Sequence, residues 1–287
     1  MLDSAFYFHD TAAGQNLLGV HCPPKCHAFA EFLLQCGRFH AGRRDLDLVH
    51  RLAGRGEAGI EFLLRGPAGM IECAVDVPEV EEARRGTVII CHPHPEHGGT
   101  MHNKVVTITE RSMRELGLRT VRFNFRGVGL SDGQFDDGYG ETDDLFAVAE
   151  WVRRTRPEDS LWLAGFSFGS YITTRAALNL DIGQLISIAP PVDRYAFDSL
   201  HHPECPWLVI QGDEDEVVNV DLVSHWANEL KPPPDLVIMN GIAGPTQPLW
   251  LELGSVNRAM GVQDGSGMLA PMEGAPLASS VKRLASE

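Results

Sequence analysis

Basic side chains, cysteines and long apolar runs are all scarce in this sequence of 287 residues. Lys and Arg number 24 against 39 Asp and Glu, so 24 − 39 gives a formal charge of −15 with His neutral. Nucleic acids and anionic membrane surfaces are bound through basic patches, so we predict neither as a partner. No apolar stretch approaches the roughly 20 residues of a membrane helix. Met1–Asp10 also lacks the basic and apolar segments of a signal peptide.

The cysteines are too few and too irregularly spaced for a disulfide framework, since there are only six. This predicts a cytoplasmic protein with free thiols. Several cysteines do cluster with histidines near the start of the chain: His21, Cys22, Cys26, His27, Cys36 and His40. Their spacing matches no common zinc-ligand pattern, so we predict no metal and no organic cofactor.

The charge is unevenly distributed along the chain. Residues 1–56 hold 5 acids and 6 bases, residues 57–253 hold 31 and 15, and residues 254–287 hold 3 and 3. The three segments therefore carry +1, −16 and 0. We predict an N-terminal extension over 1–56, a folded core over 57–253, and an irregular tail rich in Gly, Ser and Ala over 254–287.

Within the core, short apolar runs alternate with segments of helical periodicity. Two runs around Gly66-Pro67-Ala68-Gly69 predict a β-hairpin, Ile60–Arg65 with Met70–Val77. Further strands are predicted at residues 87–91, 120–125, 161–166, 184–188, 207–211 and 235–239, with helices at 103–116, 142–154, 168–180 and 220–230. Strands separated by helices of this length pair in parallel through crossover connections. The pattern therefore predicts an α/β fold with a doubly wound, mainly parallel sheet.

The strongest chemical motif is Gly165-Phe166-Ser167-Phe168-Gly169, between an apolar strand and a helix. A serine on a tight strand-to-helix turn exposes its Oγ at the carboxyl end of the sheet. The residues two before and two after it press against neighbouring backbone, where glycine fits and larger residues do not. We predict that Ser167 is the nucleophile of a nucleophile elbow.

A second motif, Cys91-His92-Pro93-His94-Pro95-Glu96-His97-Gly98-Gly99, directly follows a strand. Acyl transfer needs two N–H donors for the oxyanion, one after the nucleophile and one from the loop after an earlier strand. Phe168 supplies the first through its backbone. Proline has no N–H, so His94 is the natural second donor. The alternative is a rigid proline turn whose histidines are merely solvated.

Two more motifs complete a family resemblance: Phe123-Asn124-Phe125-Arg126-Gly127-Val128-Gly129 and Gly212-Asp213-Glu214-Asp215. From about residue 57 to 240 the chain resembles an α/β-hydrolase. It is most similar to the compact, lidless bacterial group with an H-P-H-P-x-x-G-G loop. The resemblance implies that Asp215 is the triad acid, with Asp213 and Asp193 as weaker candidates. For Arg126 we predict a structural ion pair with the acidic residues that follow it.

The general base is missing from its expected place. In this fold the triad order is Ser, Asp, His, which puts the histidine near residues 242–248. No histidine follows His225. Three hypotheses stay open: His225 serves as the base, a histidine of the 92–102 loop serves, or the site is impaired. An impaired site would belong to a natural pseudo-enzyme or to a chain whose end was replaced by a reading-frame change near residue 241.

Two functions follow from these residues. The first is a serine hydrolase of carboxylic esters, thioesters or similar acyl bonds in a small-molecule substrate, impaired by the missing histidine. The segment Ala189–Cys205 is too short for an inserted cap, so an open cleft is predicted. The alternative is a catalytically inactive binding protein with the α/β-hydrolase fold. Neither hypothesis fixes an oligomeric state.

Overall fold

The computed structural model describes residues 60–78 and 83–239, and these form one eight-stranded sheet. The predicted extension 1–56, the tail 254–287, the His/Cys cluster and the segment 242–248 lie outside the described residues. The strands are β1 Ile60–Gly66, β2 Gly69–Asp76, β3 Gly86–Cys91, β4 Arg119–Phe123, β5 Ser160–Phe166, β6 Gln184–Ile188, β7 Trp207–Gly212 and β8 Asp235–Met239.

The sheet has the order β1-β2-β4-β3-β5-β6-β7-β8. The hairpin β1–β2 joins β4 in antiparallel fashion, whereas β3 to β8 all run parallel. The predicted mainly parallel, doubly wound α/β sheet is confirmed. The direction of winding reverses between β3 and β5, and such a switch point is where open α/β sheets bind ligands.

Four helices connect these strands: α1 Lys104–Glu115, α2 Tyr139–Thr155, α3 Phe168–Ala177 and α4 Val220–Glu229. Short 3₁₀ helices lie at Pro95–His97 and Phe197–Ser199. Helix α2 begins three residues before its predicted start because the Glu141 carboxylate accepts hydrogen bonds from the N–H groups of Asp136 and Gly138. No helix within 60–78 and 83–239 has the length and apolar character needed to cross a membrane.

The central strands are buried on both faces, as their continuous apolar sequences predict. Every residue of β3 and of β6 is buried. One side of the core joins these strands to helix α1 through Val105, Val106 and Met113. Since a sheet covered on both faces exposes only its edges and strand ends, those ends are where its chemistry is found.

A buried ion pair fixes the loop after β4. The Arg126 guanidinium donates from Nη2 and Nε to the two carboxylate oxygens of Asp144 at 2.8 and 3.0 Å, and the Arg126 N–H also bonds this carboxylate. Only 1% of the Asp144 side chain is exposed. The neighbouring carboxylates and this hydrogen bonding raise the pKa of Arg126. The predicted pairing of Arg126 with the acidic residues after it is confirmed.

We expect Arg126→Met to lower the free energy of unfolding by about 3 kcal/mol, because it leaves the Asp144 carboxylate buried without its partner. The matched control is Arg154→Met, which removes an exposed helical pair with Glu150 and should cost less than about 1 kcal/mol. Urea unfolding of both variants measures the difference. Equal losses of unfolding free energy in the two variants would show that the Arg126–Asp144 pair contributes no more to stability than an exposed pair.

Candidate active site

Ser167 lies on a sharp turn between β5 and α3. Its backbone has φ 52° and ψ −119°, a left-handed conformation that is strained for a residue with a side chain. A Cβ at Gly165 would collide with the carbonyl oxygen of Gly169, and a Cβ at Gly169 would collide with that of Cys91. Both glycines are therefore required by close backbone contacts. This is the geometry that the G-x-S-x-G pattern predicts.

The turn stands at the switch point of the sheet. In the parallel pair β3–β5, Cys91 lies opposite Gly165, so the loops that hold His92 and Ser167 leave the sheet at the same level. The Ser167 N–H donates to the Ile188 carbonyl at 2.8 Å, which ties the turn to the end of β6. The sheet thus brings the predicted nucleophile beside the predicted oxyanion loop.

The loop after β3 curls back on itself around His94. The N–H groups of His97 and Gly99 donate to the His94 carbonyl at 3.1 and 3.0 Å. A Cβ at Gly99 would collide with the carbonyl of Pro93. This second glycine of the H-P-H-P-x-x-G-G pattern is therefore needed for the turn to close.

The two predicted oxyanion residues are neighbours. The rings of His94 and Phe168 have centroids 5.1 Å apart. Phe168 is the first residue of α3, so its N–H has no acceptor within the helix and is available to a ligand. The positive end of the α3 dipole lies at the same place.

The Phe168 ring packs against rings from four other parts of the chain. It is buried, and its centroid lies 5.7 Å from Phe125, 5.7 Å from Phe135, 5.4 Å from Tyr195 and 5.1 Å from His94. Phe125 follows β4, Phe135 precedes α2, and Tyr195 follows β6. No sequence pattern predicts this cluster, because its members come from segments far apart in the chain.

His92 is a buried structural residue rather than a solvated one. It is 0% exposed, its Nδ1 bonds the Pro93 carbonyl at 2.6 Å, and its Nε2 accepts from the Phe125 N–H at 3.1 Å. These partners require a neutral ring with the proton on Nδ1. Burial lowers the pKa of His92 to about 4, although the bond to the Pro93 carbonyl opposes the shift. For His92, the alternative of a merely solvated ring is wrong.

Asn124 connects the loop after β4 to the oxyanion loop. Its Oδ1 accepts from the Met101 N–H at 2.8 Å, and its Nδ2 donates to Glu72 at 2.7 Å. Glu72 also accepts from the Leu130 N–H at 2.8 Å. The F-N-F-R-G-V-G segment therefore supports the site through hydrogen bonds instead of presenting groups to a substrate.

Asp215 follows β7 at the same edge of the sheet as Ser167. Strands β5 and β7 are separated by β6 alone, which is a spacing of about 10 Å. The Asp215 Oδ1 accepts from the N–H groups of Val217 and Val218 at 2.8 and 3.0 Å, which fixes the carboxylate. The weaker candidates Asp213 and Asp193 have exposed side chains.

The histidines proposed as substitute bases differ in position. His225 is exposed on α4 and lies 3.4 Å from Glu229, so it pairs with a residue on the surface of its own helix. His102 is also exposed and lies 3.9 Å from Glu61. The His94 ring lies beside Phe168, and its Nδ1 accepts from the Glu96 N–H at 3.2 Å. Burial and the nearby His97 lower the pKa of His94, which favours its neutral form.

Serine is better suited than cysteine to act as the nucleophile here. Cys73, Cys91 and Cys205 are free thiols. Burial raises the pKa of Cys91 well above its usual value and that of Cys205 to about 11, so neither is a reactive thiolate at neutral pH. The described residues contain no cluster of three or more His, Cys, Asp or Glu side chains that would hold a metal ion.

Two solved structures share this fold and nearly half of their sequence with the chain. An α/β serine hydrolase without a lid from Xanthomonas campestris is 48% identical, with a TM-score of 0.67, over 70% of this chain and 92% of that one. An α/β serine hydrolase homologue from Coxiella burnetii is 46% identical, with the same TM-score, over 70% and 96%.

A sequence relative extends the similarity. An uncharacterised protein of Rickettsia prowazekii is 34% identical over 175 residues, which are 59% of this chain and 73% of that protein. No protein-family model matches the chain. From the identity and coverage of the solved relatives, the chain belongs to the α/β serine hydrolases, in the group without a lid.

The buried neutral His92 predicts a loss of stability in acid. Its pKa is lower in the folded chain (about 4) than in the unfolded chain (6.5), so the unfolded chain binds more protons between these values. The stabilisation is complete above 6.5 and is lost as the pH falls toward 4. Between about pH 7 and pH 4.5, we expect the free energy of unfolding of His92→Gln to fall by about 2 kcal/mol less than that of the wild type.

Urea unfolding at both pH values measures this difference. His225→Gln is the control, because it changes an exposed histidine and should show the wild-type acid loss. If His92→Gln and His225→Gln lost the same stability in acid, His92 would not be the buried titrating group.

Proposed function

We propose that this chain is an acyl hydrolase of the carboxylic-ester or thioester class, with Ser167 as the nucleophile. The N–H groups of Phe168 and His94 hold the oxyanion, and Asp215 is the triad acid. No metal and no organic cofactor takes part. The chain has no histidine after His225, and the stretch 242–248 where the triad base is expected contains none, so its turnover is impaired.

The observation that carries this proposal is the backbone of Ser167. A strained turn is retained in a fold only where the surrounding contacts enforce it, and such turns concentrate at functional sites. Here Gly165 and Gly169 allow the turn, and Gly169 rests on the backbone of Cys91 at the base of the oxyanion loop. The solved α/β serine hydrolase relatives support the same chemistry.

The proposed reaction has two steps. Ser167 Oγ attacks the carbonyl carbon of the substrate, the C–O or C–S bond to the leaving group breaks, and the acyl group becomes bonded to Oγ. The hydroxyl proton of Ser167 passes to the leaving group, which departs as an alcohol or thiol. Water then attacks this ester, its oxygen stays with the acyl group as the carboxylic acid, and one of its protons returns to Ser167 Oγ. In both steps the negative charge on the carbonyl oxygen is stabilised by the N–H groups of Phe168 and His94.

The substrate class follows from the shape of the fold. The connection between β6 and β7 spans only residues 189–206 and contains one short 3₁₀ helix, Phe197–Ser199. The Xanthomonas relative is likewise described as lacking a lid. An open cleft suits a small or extended acyl substrate better than an enclosed lipid chain.

The absence of a general base limits the rate of the proposed hydrolysis. A serine hydroxyl is a weak nucleophile while it holds its proton, and removal of one triad member costs several powers of ten in rate. His225 is exposed on α4 and paired with Glu229, which leaves it unsuited to this role. The oxyanion donors alone then supply the residual catalysis.

We expect weak labelling of Ser167 by a fluorophosphonate probe. The probe requires an activated serine, and the expected position of the base, residues 242–248, holds no histidine to remove the proton. Intact-mass spectrometry of the full chain after timed exposure measures the labelled fraction, with Ser167→Ala as the control. Rapid stoichiometric labelling that disappears in Ser167→Ala would overturn the impaired-site proposal.

We also expect added imidazole to raise the hydrolysis of p-nitrophenyl acetate by the chain, since it supplies the missing base from solution. Imidazole cleaves this ester by itself, so the rate that counts is the excess over Ser167→Ala at the same imidazole concentration. A saturable excess supports Ser167 as a nucleophile. An absent excess would indicate that Ser167 is not placed to attack the ester.

The second candidate function is a binding protein that keeps the fold and the oxyanion donors without turnover. It is favoured by one sequence observation, the absence of any histidine after His225. A phosphonate or boronate that binds reversibly, with neither labelling nor imidazole-stimulated turnover, would favour this function over the first.

A further inference from the structure

A cleft between helices α2 and α3 lies outside the candidate active site. It has a volume of about 370 Å³, within the range of small-molecule sites. Its walls are Tyr139, Thr142, Asp143, Phe146, Arg175, Leu178, Asn179 and Leu200. None of the residues proposed for catalysis lines it, so the acyl-hydrolase proposal does not account for it.

Arg175, one of the lining residues, has its guanidinium held by aromatic rings instead of by a carboxylate. The Arg175 Cζ lies 4.5 Å from the centre of the Tyr139 ring and 5.5 Å from that of Tyr171. Its Nη1 is buried and has no hydrogen-bond partner within the described part of the chain. Most other described arginines, for example Arg119, Arg122 and Arg126, pair with a carboxylate.

An exposed carboxylate of opposite charge lines the same cleft. The Asp143 side chain makes no hydrogen bond and no ion pair with the residues of 60–78 and 83–239, and it does not pair with Arg175. One cation and one anion, neither paired with an opposite charge among the described residues, therefore line one cavity. A simple carboxylate ligand would meet the repulsion of Asp143, and a simple amine would meet that of Arg175.

The remaining wall is apolar and accessible. Leu178 and Tyr139 are 39% and 66% exposed, which is high for large hydrophobic side chains, and Phe146 and Leu200 are half-buried beside them. An apolar group in the cleft would remove this surface from water. A ligand of zero net charge also avoids the repulsion expected from the charge of −15.

We propose that this cleft binds a free α-amino acid with an apolar side chain. Its carboxylate pairs with Arg175, its ammonium pairs with Asp143, and its side chain packs on Phe146, Leu178 and Leu200. The site is separate from Ser167, so binding requires neither acylation nor the missing base.

Three matched probes test the proposal on the full chain: L-leucine, 4-methylpentanoate without the ammonium, and 3-methylbutylamine without the carboxylate. Isothermal titration and ligand-observed NMR give their affinities. We expect leucine to bind in the millimolar range and each analogue to bind at least about tenfold more weakly, since each lacks one ion pair. No saturable binding of leucine, or equal binding of either analogue, would overturn the proposal.

Two variants test which charged residue of the cleft pairs with which charged group of leucine. Asp143→Asn and Arg175→Gln should each weaken leucine binding about tenfold, and each should remove the preference over the analogue that lacks the corresponding group. Asp181→Asn, an exposed aspartate outside the cleft, is the control and should bind leucine like the wild type. Because Asp143 is exposed and makes no side-chain hydrogen bond or ion pair within 60–78 and 83–239, its variant keeps the test valid if Arg175→Gln fails to fold. Unchanged leucine affinity in Asp143→Asn would overturn the proposal.

Discussion

The candidate site depends on a backbone-to-backbone contact between the elbow and the strand beside it. Gly169, the second residue of α3, rests on the carbonyl of Cys91 at the end of β3, and Gly165 rests on Gly169. No side chain fits between these segments. The contact sets the height of Ser167 above the sheet, and it also places the loop that begins at His92. The predicted nucleophile and oxyanion loop thus take their positions from a single close approach.

The surroundings of this contact are polar but closed to water. His92 spans the oxyanion loop and the loop after β4 with two hydrogen bonds, and the Arg126–Asp144 pair holds the latter loop from its other side. Such groups are stable when buried only if each is satisfied, because an unpaired buried donor or charge is costly. The hydrogen bonds and the ion pair that satisfy these buried groups therefore stabilise the two loops and also hold them rigid. Rigid donors suit an oxyanion site, since they need no rearrangement when charge develops.

The sequence predicted the elements well because their periodicities are local properties. The elbow was also predictable, since the two glycines and the serine lie within five consecutive residues, although the contact that requires Gly169 comes from Cys91 on the neighbouring strand. The buried role of His92 and the ring cluster around Phe168 were not predictable. Both depend on which loops meet above the sheet, and a pattern of adjacent residues does not specify the order β4-β3-β5. The early start of α2 was missed for a local reason, because Glu141 caps a turn that the apolar pattern does not reach.

The two halves of the acyl-transfer chemistry proposed for this chain depend on different kinds of group. In the proposed site, stabilisation of the oxyanion comes from backbone N–H groups, which the fold itself places. Proton transfer would depend on one side chain, and the backbone contacts of Gly165 and Gly169 do not involve it. The proposed impaired site would therefore keep the strained serine, the glycine contacts and the carboxylate of Asp215 without the base that they would serve.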